Sequence, residues 1–310
     1  MKYLITGADG FVGQYLVETL LGMGCEVVAC AMRDIDDLKS LMKSGLSIQY
    51  PDITDNEAIS RVILEAKPDV IIHLAAQSFP RVSWEKPVLT MNVNLIGSLY
   101  IFEAIRKLIT KPVTIVLGSS AEYAMNEEGR PITETDRLEP SSIYGVSKLA
   151  MDEVARLYAF RYDLPIIRVR PFFLIGPRKE HDFCSDIARE IVAMERGERT
   201  SISVGNLSNI RDFLDVRDGV DALILLSQKG LKGEVYNICS GNKFKLRDIL
   251  DIYKSFSKTN VVEVVNESLL RNYDEAIKVG NPTKLKALGW NIKLDITKTI
   301  QDILEYWRNR

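Results

Sequence analysis

Short apolar runs alternate with amphipathic stretches along the first half of the chain. The runs KYLIT, CEVVACA, DVIIHLAA, PVTIVLGS and PIIRVRPF are rich in β-branched residues and bounded by Gly, Pro or charges, so they predict buried strands. Between them, Phe11–Met23 and Asn92–Ile109 place apolar residues at helical spacing. This alternation predicts an α/β protein with a doubly wound parallel sheet and helices on both faces. After Pro177 the pattern loosens. FCSDIAREIVAMERGE predicts a helix and TSISVG a short strand. DVRDGVDALILLSQKG followed by GEVYNICSG returns to helix-then-strand form, which predicts that this segment rejoins the sheet. From Lys243 onward helices surround a lone strand, NVVEVV.

Composition adds mainly exclusions. The 310 residues are 46% apolar, enough for a full core, and the net charge of −2 carries no long run of either sign. Binding to nucleic acid through phosphate neutralisation needs a basic patch, so no nucleic-acid partner is expected. No apolar run approaches the ~18 residues of a membrane span, so no membrane partner is expected. The N-terminal MKYLITGADG enters a strand at once, without the features of a signal peptide. Cys25, Cys30, Cys184 and Cys239 form no CxxC pair, and His73 and His181 are the two histidines. A metal site is therefore not expected, and scattered thiols suit a reducing cytoplasm.

ITGADGFVG sets Gly7, Gly10 and Gly13 at GxxGxxG spacing, after a predicted strand and opening a predicted helix. Glycines there let the backbone approach a pyrophosphate. The helix N-terminus, at Phe11 and Val12, offers N–H groups and a positive dipole end. The expected fold is thus Rossmann-type: a dinucleotide-binding part over 1–176, with 212–240 rejoining it. A smaller interleaved lobe over 177–211 and 241–310 would take the substrate, in the cleft between the two. The run Val27–Met32 ends at Arg33, whose guanidinium suits a ribose 2′-phosphate and points to NADP. Asp34 is the competing residue and would suit NAD. After the next strand, Asp52 and Ile53 would meet the adenine.

SSIYGVSKLAMDEVARLY carries Tyr144 and Lys148 at i,i+4, on one face of a predicted helix. A phenol needs its pKa lowered to act as a base near neutrality, and a neighbouring ammonium would lower it.

TGADGFVG, HLAAQS, GSSAEY and YGVSK resemble the extended short-chain dehydrogenase/reductases that modify nucleotide sugars. AAQSFPRVSWEKPVLTMNVNLIGS is similar to GDP-mannose 4,6-dehydratases. VGNLSNIRDFLDVRD and GEVYNICSG are similar to GDP-4-keto-6-deoxy-mannose reductases. The resemblance implies Tyr144 as acid/base and Lys148 as the residue that orients the nicotinamide ribose and tunes Tyr144. Ser119 would bond the reacting sugar oxygen, with Ser120 secondary. Asn92 and Leu74, Ala75 and Ala76 would line the cofactor, and Ser83 would meet the sugar. Gly205, Asn206 and Arg211 would lie along the nucleotide, with Arg271 on the diphosphate. It also implies a nucleotide-diphosphate sugar as substrate and a homodimer.

Two departures shape the reaction expected. Relatives usually read RPFN-H where this chain has RPFFLIGPRK, so Phe173 and Leu174 replace polar groups at the diphosphate, with Arg178 or Lys179 available to compensate. In dehydratases of this family a Glu stands two residues beyond the Ser/Thr, and here that position is Ala121. Glu122 is next door, but on a continuing strand it would face the other way. Alanine cannot transfer a proton, which favours reduction of a 4-keto sugar over 4,6-dehydration. A 4-epimerase stays open, as does a non-catalytic nucleotide-binding sensor on the same fold.

Overall fold

The computed structural model describes residues 1–34, 38, 40–41, 45–126, 129–270 and 275–310. In chain order its strands are β1 (Lys2–Thr6), β2 (Glu26–Cys30), β3 (Leu46–Gln49), β4 (Val70–His73), β5 (Val113–Leu117) and β6 (Ile166–Pro171). There follow β7 (Phe173–Ile175), β8 (Ile202–Val204), β9 (Ile210–Arg211), β10 (Phe213–Asp215), β11 (Val235–Ile238), β12 (Phe244–Lys245), β13 (Glu263–Val265) and β14 (Ile277–Lys278).

Seven of these form one sheet in the order β11-β6-β5-β4-β1-β2-β3, every pairing parallel. The side-chain period of two explains why the apolar runs are continuous. Ile5, Ile72, Ile115 and Val169 face one core, with Leu16, Val17 and Leu20 of the Phe11–Gly22 helix and Val220 and Leu223 of the Val216–Lys229 helix. Their neighbours Leu4, Ile71, Val116 and Ile166 face the other. There they meet Ile59 and Ile63 (helix Asn56–Ala66), Ile101 and Phe102 (helix Gly97–Lys107), and Met151 and Ala155 (helix Ile143–Arg161). A sheet covered on both faces needs apolar residues at every position. Edge strand β3 instead alternates half-buried with exposed residues, so it is missing from the apolar runs. GEVYNICSG does rejoin the sheet, as β11 against β6.

A separate core packs the helices Phe183–Glu195, Leu246–Phe256 and Ile296–Arg308 around Ile187, Ile191, Leu250, Tyr253 and Ile303. The NVVEVV run is not a lone strand there, because its residues Glu263–Val265 (β13) pair in parallel with β8. Leu285 and Trp290 return to the first core, and Trp290 Nε1 donates to the Asp218 carbonyl at 3.0 Å.

One helix bears on the membrane expectation. The helical stretch Pro87–Lys107 is 21 residues long and, by length and composition, apolar enough to cross a membrane. Asn92, Asn94, Ser98 and Glu103 break the continuous run, and these few polar positions do not bring its average below that of a span. Ile101, Phe102, Ala104 and Ile105 are buried against the sheet, as in any core helix.

Candidate active site

The glycine loop joins β1 to the Phe11–Gly22 helix. Gly7 has φ +69°, and a Cβ there would stand 2.7 Å from the Ala75 backbone nitrogen. A methyl on Gly13 would stand 2.2 Å from the Gly7 carbonyl oxygen. The loop therefore packs backbone to backbone against Leu74–Ala76, where Leu74 N–H donates to the Thr6 carbonyl (3.1 Å) and Ala75 N–H to Thr6 Oγ1 (3.2 Å). Gly10 begins the helix with no side-chain cap, so the first-turn N–H groups from Phe11 to Gly13 meet no capping oxygen. This cradle fits a pyrophosphate. Asp9, which sequence reasoning missed, accepts from the N–H groups of Met32 (3.3 Å) and Arg33 (3.2 Å) and so ties the end of β2 to the loop. The exposed Arg33 side chain keeps its Nε 3.7 Å from Asp9 Oδ2, on the rim of the cradle. Asp34 accepts from the Tyr50 hydroxyl at 3.2 Å. Asp52 turns its carboxylate to Thr54 N–H (2.8 Å) and hydroxyl (2.7 Å), while Ile53 is buried in the core beside the Gly97 backbone.

Ser119 follows β5 and caps a short 3₁₀ turn, Ser120–Glu122, with its Oγ accepting from Ala121 N–H at 3.1 Å. Tyr144 lies in the first turn of the Ile143–Arg161 helix, which Ser142 caps by accepting from Gly145 N–H at 3.1 Å. The Ser119 side chain faces the Tyr144 phenol closely enough to pull its pKa down. One turn on, the buried Lys148 donates from Nζ to the Leu117 carbonyl at 2.7 Å. Ser119, Tyr144 and Lys148 thus converge at the carboxyl ends of β4 and β5. The expected lowering of the phenol is corrected. Burial pushes Tyr144 up to about 12, against the pull of the Ser119 side chain, while the Lys148 ammonium is held by a carbonyl. Burial also brings Lys148 down to about 8, and Glu122 opposes that. In this state Tyr144 is a neutral acid with a proton to give.

The expected strand through Glu122 is a 3₁₀ turn instead. Ser120 and Glu122 are buried, and Ala121 is the partly exposed member. Glu122 lies beneath the site: its Oε1 accepts from Ser119 N–H at 2.6 Å and its Oε2 is 2.9 Å from Arg170 Nε, close but not aligned as a hydrogen bond. Arg170 also donates to Asp152 (2.7 Å) and to the Tyr123 hydroxyl (3.1 Å), and Arg168 donates to Asp152 at 2.9 Å.

Asn92 is exposed, at the start of a π-helical turn spanning Asn92–Ile96. That turn brings Asn94 inward: Asn94 exchanges hydrogen bonds with the Gln77 backbone (2.8 and 3.0 Å) and donates to Ser147 Oγ at 2.9 Å. The substrate-side assignment of Ser83 is corrected. Ser83 is fully buried, donates to the Pro80 carbonyl (2.6 Å) and accepts from Tyr144 N–H (3.1 Å), so it positions Tyr144 and does not face a sugar. His73 is a further unforeseen member. Its Nδ1 meets Thr6 Oγ1 at 2.7 Å and its Nε2 meets Ser98 Oγ at 2.8 Å. The Ser98 hydroxyl donates to the Asn94 carbonyl, so a neutral imidazole with its proton on Nε2 satisfies the chain. Burial lowers His73 to about 3.

Of the residues expected along the nucleotide, Gly205 packs against the Leu269 backbone. Asn206 closes a turn by accepting from Ser208 N–H (3.0 Å) and hydroxyl (2.7 Å). Arg211 donates from Nη1 to the carbonyls of Ile210 (2.9 Å) and Glu275 (2.7 Å), and its guanidinium lies 5.6 Å from the Phe173 ring centre. Phe173 also meets Phe213 edge-on, and Leu174 is buried in the first core. Both apolar substitutions are thus used in packing. Arg178 pairs with Glu18 (2.6 Å) over the Tyr15 ring, and Lys179 reaches over Phe11 while bonding the Leu174 carbonyl and Asp182. Arg271 falls outside the described residues. Among the described residues no group of three or more His, Cys, Asp or Glu side chains could hold a metal ion.

A glycine cradle and a Ser–Tyr–Lys cluster at the carboxyl edge of this strand order define an extended short-chain dehydrogenase/reductase. More narrowly, residues 4–303 match the family described as GDP-mannose 4,6 dehydratase, and the chain belongs to that family. It is 27% identical to GDP-6-deoxy-D-mannose reductase of Pseudomonas aeruginosa, over 100% of this chain and 98% of that protein. The solved structure of RMD from Pseudomonas aeruginosa complexed with NADPH superposes with a TM-score of 0.85 at 25% identity, covering 100% of this chain and 99% of the other. UDP-glucose 4-epimerase of Thermotoga maritima with UDP-glucose superposes at 0.88, also at 25% identity, covering 100% and 99%.

Proposed function

We propose that this protein is an NADP(H)-dependent reductase of the 4-keto group of a nucleotide-diphospho-6-deoxy sugar, of the GDP-4-keto-6-deoxy-mannose type. Ala121 carries this reading. The partly exposed side chain of the Ser120–Glu122 turn is a methyl, whereas dehydration needs an acid/base there to expel water. The reductase and NADPH-complex relatives support it over dehydration and epimerisation.

Bound NADPH would supply the hydride. The glycine cradle would hold the pyrophosphate, Arg33 the 2′-phosphate, and Leu74–Ala76 one wall of the groove; NAD, through Asp34, is the weaker fit. Tyr144 holds a proton at neutral pH and hands it to the carbonyl oxygen as that oxygen becomes an alcohol. Ser119, facing Tyr144, would orient the same oxygen. Buried Lys148 keeps positive charge near the phenolate that forms, which favours proton release at that moment. Residues 177–211 and 241–310 would supply the nucleotide-sugar side of the cleft, with Arg211, steadied by Phe173 and the Glu275 carbonyl, toward the diphosphate.

Exposed Val88, Leu89, Val146, Leu157 and Phe160 lie on the Pro87–Lys107 and Ile143–Arg161 helices. We propose that two copies pair through this face as a homodimer. The four cysteines are free, which supports a reducing, cytoplasmic setting. The test is incubation with GDP-4-keto-6-deoxy-mannose and NADPH in one arm and GDP-mannose with NADP in the other. Product in the first arm alone supports the reductase; product in the second overturns it.

A further inference from the structure

Beneath the Ser119–Tyr144 pair lies a carboxylate that reaches no substrate. Glu122 is fully buried and takes Ser119 N–H at 2.6 Å. Space is made for it: a methyl at Gly118 would stand 2.2 Å from Oε1, so the strand end admits the carboxylate only because residue 118 lacks a Cβ. The groups facing it come from three elements. Arg170 approaches from β6 at 2.9 Å; Asp152, Lys148 and Tyr144 come from the Ile143–Arg161 helix; Tyr123 follows it in the chain. Arg170 and Arg168 share Asp152 (2.7 and 2.9 Å), so two carboxylates and two guanidiniums form one buried cluster. Such a cluster has one low-energy arrangement, since moving any member strands another without a partner.

We infer that Glu122 is a positioning residue for the reaction: anchored by Arg170, it holds the Ser119 backbone so that the Ser119 hydroxyl meets Tyr144. The inference rests on the catalytic reading of Ser119 and Tyr144. Burial, with the neighbouring Asp152, pushes Glu122 itself up to about 8 against the pull of Arg170, and above that pH its negative charge faces the phenol and the ammonium and raises the proton affinity of both. Glu122 thus acts on catalysis by geometry through Ser119 and by charge through Tyr144.

Glu122→Gln keeps the oxygen that accepts Ser119 N–H and removes the charge that Arg170 anchors. The expected result is a folded protein with kcat lowered about tenfold or more, as sub-ångström misplacement of a reacting group requires. The KM for NADPH stays unchanged, and the alkaline limb of the kcat profile moves to lower pH. In the Ser119→Ala background the same substitution should cost much less, because the two act through one contact. Wild-type kcat with an unshifted profile, or losses that multiply independently in the double variant, would overturn the inference. Gly118→Ala keeps every charge and displaces the carboxylate sterically. It should lower kcat likewise even if Glu122→Gln does not fold, and wild-type kcat in Gly118→Ala counts against the inference. The single variants Ser119→Ala and Tyr144→Phe decide the underlying reading separately: if both keep full activity, that reading fails, whatever Glu122 does.

Discussion

Tyr144 is a neutral phenol facing Ser119, and its raised proton affinity suits an acid better than a base. Tyr144→Phe should leave NADPH affinity near normal and lower turnover about a hundredfold or more, the usual worth of a general acid; cofactor titration and steady-state kinetics read the two separately. The sign of the pH dependence follows. Reduction needs the protonated phenol, so kcat should hold through neutrality and fall only as pH rises toward the alkaline range where Tyr144 titrates; a fall on the acidic side of neutrality would contradict this. Arg33 belongs to a different function. Arg33→Ala should weaken NADPH and leave NADH nearly unchanged, and equal losses for both cofactors would remove the 2′-phosphate role. That Ser119, Tyr144 and Lys148 come together was legible because each sits in a short local pattern. Ser83 was misread because burial depends on tertiary contacts that spacing does not encode. Asn94 lies two residues from Asn92, and only the wider π turn selects it.

At the scale of elements, the long runs were readable for a physical reason: strands covered on both faces must be apolar throughout, and a glycine loop between strand and helix has few alternatives. The short strands β7 to β10 and β12 to β14 are two or three residues each, too short to show a period. The hydrogen-bond chain from Ala75 through Thr6, His73 and Ser98 to Asn94 was equally hidden, because it joins β1, β4 and the Pro87–Lys107 stretch. It makes a stability prediction. The unfolded His73 takes a proton near 6.5, and the folded one resists until about 3. The unfolded chain therefore binds more protons in this window, and stability must fall as pH falls through it. The full effect is about 5 kcal/mol, fully developed only near the lower end. Thermal melts from neutrality to about pH 4 should show wild type losing more stability than His73→Gln. Parallel curves would contradict a neutral buried imidazole.

Across the whole molecule, Arg211 rests on Phe173, which packs against the second core, and the Leu285–Trp290 segment crosses back to the first core. Composition could not show that return, since apolar residues in either core look alike in sequence. The exposed apolar face on the Ile143–Arg161 helix is also a molecular-scale property. Phe160→Glu with Leu157→Glu should convert a dimer to a monomer in sedimentation equilibrium, and a wild-type monomer would refute the pairing. The central claim is the reaction itself, set by Ala121 beside an intact Ser119–Tyr144–Lys148 cluster. The most direct measurement is NADPH absorbance on mixing the purified enzyme with GDP-4-keto-6-deoxy-mannose. The account predicts stoichiometric NADPH consumption, abolished in Tyr144→Phe. Unchanged absorbance there, with GDP-mannose converted to its 4-keto-6-deoxy product instead, would contradict it.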